Sequence, residues 1–152
     1  MKKKNIFPPT SQRVLLRSDP QANAEIRSQT IKNLNIFKNC DSVEMADRIQ
    51  ILNQEWDTER LLEVNASLLI VLSSYLGVRT SRIWFLLTGT VSVFMLWHAF
   101  LGWCPLLPVI RKLGVRTEAE IGAEKTALKY MRGDFKDQFT NVEDALAKAE
   151  LQ

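Results

Sequence analysis

The sequence predicts an all-α protein: a two-span transmembrane helical hairpin with flanking cytoplasmic amphipathic helices. The first observation is the placement of charge. The chain has 152 residues with 20 Lys and Arg and 17 Asp and Glu, yet only Arg79 and Arg82 are charged within residues 65–103. The second and third are two long apolar segments and the aromatic residues near their ends. A soluble core does not normally contain an apolar stretch this long whose only charges stand at a short turn.

The two spans are predicted over about 61–78 and 83–103, within a hairpin at 61–114. The second span has no formal charge, and as a helix it would be about 31 Å long, which matches the ~30 Å hydrocarbon core of a bilayer. The first span is shorter and contains one charge, Glu63. Because the polar connection 79–82 is short, the two helices should be antiparallel.

Aromatic residues stand where interfacial anchors are expected. Tyr75 and Trp84 lie near the turn, while Trp56, Trp97 and Trp103 lie at or beyond the opposite end. The alternative is a pair of soluble helices buried inside a larger assembly. Trp at both ends of an uncharged segment favours the membrane, and membrane lipid is therefore the first expected partner.

The distribution of Lys and Arg predicts the orientation, because the more basic side of a membrane protein faces the cytoplasm. The turn carries two basic residues. The other side carries five near the span ends: Arg48, Arg60, Arg111, Lys112 and Arg116. Both termini are therefore expected in the cytoplasm.

Before the hairpin, residues 1–40 are predicted to form a polar N-terminal tail, interrupted by prolines, with a short helix over 21–36. Residues 41–60 are predicted to form an amphipathic helix that leads into the membrane. Asp41 and Glu44 have the spacing of a helix-start capping pair.

An apolar stripe follows this capping pair, formed by Met45, Ile49, Leu52 and Trp56. The stripe is expected to pack on the membrane surface, on a second copy or on the C-terminal helix. No Gly or Pro interrupts residues 41–76, so this helix is expected to continue into the first span.

After the hairpin, residues 115–152 are predicted to form cytoplasmic helices. Thr117 and Glu120 form a capping box that opens one helix, and Gly133 ends it. A second capping box opens a last helix over 141–151.

Two polar residues fall inside the spans. If the helices pair around the turn, His98 lies opposite Glu63. A lone carboxylate in hydrocarbon costs about 2.5–3.5 kcal/mol on insertion scales, which a His partner would offset. One interpretation is a proton-relay or ligand site. The favoured one is a mutually satisfied pair, or a Glu63 that reaches water.

Cys104 stands at the predicted membrane exit, near Arg111 and Lys112. Nearby positive charge would lower the pKa of the thiol, which suits sulfur transfer or redox sensing. The favoured interpretation is nevertheless a small interfacial residue that only packs. The second cysteine, Cys40, has no comparable setting.

Small residues of the two spans offer surfaces for close helix contact: Gly89 and Gly102, with Ser73 and Gly77 opposite. A two-span hairpin has little internal interface. We therefore expect a homo-oligomer or docking on a larger membrane protein.

Composition offers little for chemistry. A single His, two Cys and the lack of a glycine-rich phosphate loop predict no metal site, no cofactor and no catalytic residues. A net charge of +3 without a basic block predicts no binding to nucleic acid.

The motif HAFLGWCPLL, at residues 98–107, resembles the YgaP-like inner-membrane domain family. The resemblance covers about 59–114. A bacterial subgroup is similar at 55–60, 113–117 and 128–135 as well. The resemblance to the family implies a two-helix hairpin of poorly defined function in the bacterial inner membrane. Such a hairpin ends in a Gly-aromatic-Cys motif and forms dimers or higher oligomers.

Some members of that family fuse the hairpin to a rhodanese domain, which moves sulfur through a cysteine persulfide. Here the 60 N-terminal residues are too few for such a domain and lack its catalytic Cys loop. The leading hypothesis is a non-enzymatic membrane hairpin that oligomerises or docks on partners. The alternatives are a small accessory subunit of a larger membrane complex and a sulfur-handling component that uses Cys104.

Overall fold

The structure, a computed structural model, describes residues 7–136, and all regular elements in this range are helical. The predicted all-α fold class is confirmed. Two short 3-10 turns, Thr10–Gln12 and Asp134–Lys136, begin and end the described part. Between them lie seven α-helices: α1 (Arg13–Arg17), α2 (Pro20–Phe37), α3 (Ser42–Gln54), α4 (Thr58–Arg79), α5 (Trp84–Leu101), α6 (Leu107–Lys112) and α7 (Glu118–Arg132). The predicted last helix, 141–151, lies outside the described residues.

Helices α4 and α5 form the membrane hairpin. They have 22 and 18 residues, which corresponds to about 33 and 27 Å of helix. Only 6% of the apolar window of α5 is buried, and side chains such as Val78, Leu86 and Val93 are largely exposed. An apolar surface of this extent needs lipid around it. The protein is therefore a membrane protein with two spanning helices.

The hairpin has the antiparallel arrangement expected from its short turn. The Ser73 hydroxyl lies 2.7 Å from the Thr88 hydroxyl, across the helix interface. A Cβ on Gly77 would lie 2.9 Å from the Phe85 ring. Small residues on α4 thus let the two helices approach closely.

Four further helices form what we call the extramembrane bundle: α2, α3, α6 and α7. Within the predicted N-terminal tail, the helix expected over 21–36 is present as α2, which starts at Pro20 with Asp19 as its N-cap. Residues 10–37 are nevertheless not an extended tail. Ala22 and Ile26 are buried, and α2 packs against both α6 and α7.

The core of the bundle joins α3 to α7. Met45, Ile49 and Leu52 of α3 form one buried cluster with Ile121 and Leu128 of α7. Of the three surfaces that the apolar stripe could meet, the structure thus selects the C-terminal helix. The capping boxes predicted at Asp41 and Glu44 and at Thr117 and Glu120 are present, and the left-handed Gly133 ends α7. The box predicted to open the last helix lies outside the described residues.

The expectation of one continuous helix from residue 41 into the first span is wrong. Helix α3 ends at Gln54, and α4 begins at Thr58 after Asp57 accepts a hydrogen bond from the Arg60 N–H at 2.7 Å. The Thr58 N–H donates to the carbonyl of Arg116 at 2.8 Å instead of continuing the ladder of α3. A long-range bond and a local cap therefore break the helix without Gly or Pro.

Candidate functional site at the membrane interface

The N-terminal segment closes over the bundle-side end of the hairpin. Helix α5 ends at Gly102, whose φ of +75° is left-handed, and a Cβ there would lie 2.5 Å from the Arg13 backbone. The Arg13 guanidinium donates to the Ala99 carbonyl at 3.1 Å and to Glu59 at 2.9 Å. Arg13 thus ties together the end of the second span and the start of the first.

Cys104 lies beneath this segment, in a buried cluster with Val14, Leu62, Leu107 and Ile110. It is 4% exposed. Burial raises the pKa of the Cys104 thiol, and this outweighs the opposing backbone hydrogen bonds from the two Leu residues that follow Pro105. The thiol is therefore protonated at neutral pH.

The expected lowering of that pKa by nearby Arg111 is wrong. Arg111 is held by Glu120 and Asn23, so its charge is neutralised away from the thiol. Cys104 instead lines an apolar groove of about 170 Å³ between the spans, together with Leu62 and Met95.

The expected pairing of Glu63 with His98 is also not found. His98 is 4% exposed, and neither of its ring nitrogens has a hydrogen-bond partner within residues 7–136. Glu63 is exposed, whereas its neighbour Leu62 is buried. The rotation of α4 therefore turns the carboxylate away from the helix interface, which leaves the relay interpretation without a partner residue.

The other sequence-predicted residues divide by position. Gly89 faces open space, since a Cβ added there would have no neighbouring atom within 4 Å. Ser73 and Gly77 serve the helix interface, and Gly102 faces the N-terminal segment rather than the other span. The five predicted anchors are all exposed: Trp56, Tyr75, Trp84, Trp97 and Trp103. Trp56 lies outside the apolar stripe, with the Arg60 guanidinium 4.7 Å from its ring centre.

Sequence reasoning missed a buried charge network in the extramembrane bundle. The Arg111 side chain is fully buried and donates to both Glu120 oxygens, at 2.6 and 2.8 Å. It also reaches Asn23 Oδ1 at 2.7 Å and the Val115 carbonyl at 3.0 Å. Burial alone would raise the pKa of Glu120, but hydrogen bonds from Arg111 and Thr117 outweigh it, so the pKa is lowered.

Glu124 is the second centre of this network. Its side chain is fully buried, and Arg48 donates to one of its oxygens through two nitrogens, at 2.8 and 3.1 Å. Arg116 binds Glu124 on the other side and also binds Glu55. The sequence held one signal for it: Glu124 lies between Ile121 and Leu128 on the apolar face of α7, where a charge needs a partner.

Residues 57–120 match the family described as inner membrane protein YgaP-like, transmembrane domain. This part of the chain is similar to the transmembrane domain of that family. Neither the comparison with curated proteins nor that with solved structures found a match. The matched region starts at Asp57, the N-cap of α4, and ends at Glu120, the partner of Arg111. Helices α2 and α3 lie outside it: α2 packs against α6 within the match, whereas α3 packs against α7, most of which lies beyond Glu120.

Proposed function

We propose that this protein is a non-enzymatic scaffold of the bacterial inner membrane that associates with itself through the outer face of α5. One observation carries the proposal. That face has a groove of about 390 Å³, with Gly89 exposed in it, and its lining residues are Phe85, Leu86, Gly89, Thr90, Val93 and Phe94.

The packing of the hairpin supports self-association. Helix α5 packs along α4 and leaves its opposite face uncovered. Association of helices within lipid depends on close van der Waals contact, which a glycine in a groove permits. In the bundle, the partly buried Glu120 and the buried Glu124 are occupied by ion pairs, which supports a structural rather than a catalytic role.

Substitution of Gly89 tests the proposal. Gly89→Leu fills the groove without an internal clash, so the variant should fold and insert but migrate as a monomer. Ser92→Leu is the matched control, because Ser92 is an exposed α5 residue outside the groove. Native mass spectrometry after mild detergent extraction should find an oligomer for the wild type and for Ser92→Leu only.

Two results would contradict self-association through this face. A wild-type protein that is monomeric after extraction would overturn it, as would an oligomer unchanged by Gly89→Leu. A fixed ratio of a different subunit in the extracted particle would support the accessory-subunit hypothesis instead. The sulfur-handling hypothesis is disfavoured by the burial of Cys104.

The orientation with both termini in the cytoplasm is part of the proposal, supported by five basic residues on the bundle side against two in the turn. In a Cys40→Ser background, an impermeant maleimide should label Ser81→Cys in intact spheroplasts. It should label Glu118→Cys only after lysis. The reverse pattern would overturn the orientation.

A further inference from the structure

A cavity of about 440 Å³ lies in the extramembrane bundle, between α2 and the buried charge network. One wall is a face of α2 that presents Gln29 and Asn33. The opposite wall is formed by α3, α6 and the segments that flank the hairpin. The charged residues that line the whole cavity are Glu25, Arg48, Glu55, Arg111, Lys112 and Arg116.

The cleft has hydrogen-bond donors that the protein does not satisfy. Nε of Arg111 is buried and has no acceptor in the described chain, although the rest of this guanidinium makes four hydrogen bonds. Arg48 uses Nε and Nη2 on Glu124, while its Nη1 has no acceptor within residues 7–136. Lys112 is exposed at the rim and forms no ion pair in the described part of the chain. A buried donor without an acceptor costs about 1–3 kcal/mol.

The carboxylate oxygens around the cleft accept hydrogen bonds within the described chain, except for Oε2 of Glu25. Glu55 is bound by Arg116 through both carboxylate oxygens. Both oxygens of Glu120 are bound by Arg111, and both of Glu124 are bound by arginines. Glu25 accepts from the Gln21 side chain on the surface of α2. A ligand of this cleft must therefore supply acceptor oxygens to cationic donors.

We propose that the cleft binds a phosphate group, with Arg48, Arg111 and Lys112 as its donors. Phosphate oxygens accept from guanidinium groups in the geometry that arginine offers, and a lysine adds a point charge. The cavity is larger than one ion, so it has room for an organic group on the phosphate. Helix α6, which carries Arg111 and Lys112, follows directly after the second span, so the source is either a lipid headgroup or a soluble phosphate compound.

Binding would bridge α3 to α6 and should raise the unfolding temperature of the full chain. The first arm adds inorganic phosphate or glycerol 3-phosphate to detergent-solubilised protein at constant ionic strength. The second arm compares phosphatidylcholine vesicles with and without phosphatidic acid. A shift of several degrees in the first arm identifies a soluble source, and a shift in the second arm alone identifies the lipid headgroup.

Lys112→Gln tests the site without disturbing an ion pair, and Lys38→Gln is the matched control on a lysine outside the cleft. Loss of one charged contact should weaken phosphate binding about tenfold in Lys112→Gln and leave Lys38→Gln unchanged. Gln29→Glu, which adds a carboxylate to the opposite wall, should abolish the shift. The proposal is overturned if neither arm shifts the wild type, or if both lysine variants respond equally.

Discussion

Gly102 combines two constraints at one residue. Its φ of +75° is a conformation that L side chains rarely adopt, and the space where a Cβ would stand is filled by the Arg13 backbone. Gly102 therefore ends the second span and also provides the contact surface for the N-terminal segment.

We predict that Gly102→Ala separates that segment from the hairpin. Gly114 gives the control, because its φ is +81° but nothing lies within 4 Å of an added Cβ. Gly114→Ala should cost about 1–2 kcal/mol from the left-handed backbone alone. Gly102→Ala should cost about 1–3 kcal/mol more, since backbone atoms must move apart. Denaturant unfolding in detergent measures both, and faster proteolysis near Arg13 should accompany Gly102→Ala only. Equal costs would contradict the close contact.

Glu124 is the centre of the part of the charge network that contains Arg48 and Arg116. Glu124→Gln removes the carboxylate and leaves Arg48 and Arg116 short of a counter-charge. A broken buried ion pair costs about 3 kcal/mol. Glu118→Gln, at an exposed acid in the first turn of α7, should cost only about 0.5 kcal/mol. The free energy of unfolding of each variant, compared with that of the wild type, measures the two costs. Similar costs would mean that the Glu124 pairs add no stability.

At the scale of elements, α6 and the start of α7 are joined through Arg111 and Glu120, and this joint is sensitive to pH. The folded-state pKa of Glu120 is lower than its ordinary value. Its contribution to stability is therefore complete above the ordinary value and is lost as the pH falls below it, through the folded pKa.

We expect acidification to destabilise the bundle in that window, and Glu120→Gln to remove part of the dependence. Unfolding temperatures followed by circular dichroism across acidic pH would measure it. The variant should be less stable than the wild type at neutral pH, and the difference should shrink in acid. A constant difference at every pH would argue against the lowered pKa.

Elements also mark how far local sequence patterns suffice. The spans, the short turn, the capping boxes that open α3 and α7, and the Gly133 stop depend on neighbouring residues, so the sequence predicts them correctly. The break between α3 and α4 depends on the local Asp57 cap and also on the Arg116 carbonyl, which lies far along the chain from Thr58. No local pattern contains that bond.

The whole molecule explains the remaining differences. The pKa of Cys104 was expected to be lowered because Arg111 is near in sequence, but the arginine is bound by Asn23 from α2 and by Glu120 from α7. That binding requires the N-terminal region to pack as a helix on the bundle. That region is polar overall and interrupted by prolines, so the sequence predicts a tail where the fold has a packed layer.

The start of the first span is fastened to the segment between α6 and α7. The backbone N–H and the hydroxyl of Thr58 both donate to the Arg116 carbonyl, at 2.8 and 3.0 Å. A helix longer than the local bilayer thickness accommodates by tilting. Because Thr58 begins that helix and is fastened to the segment that starts α7, tilt cannot be absorbed by a loose linker there. A thinner or thicker bilayer should thus change the angle at which the attached helices stand to the membrane plane.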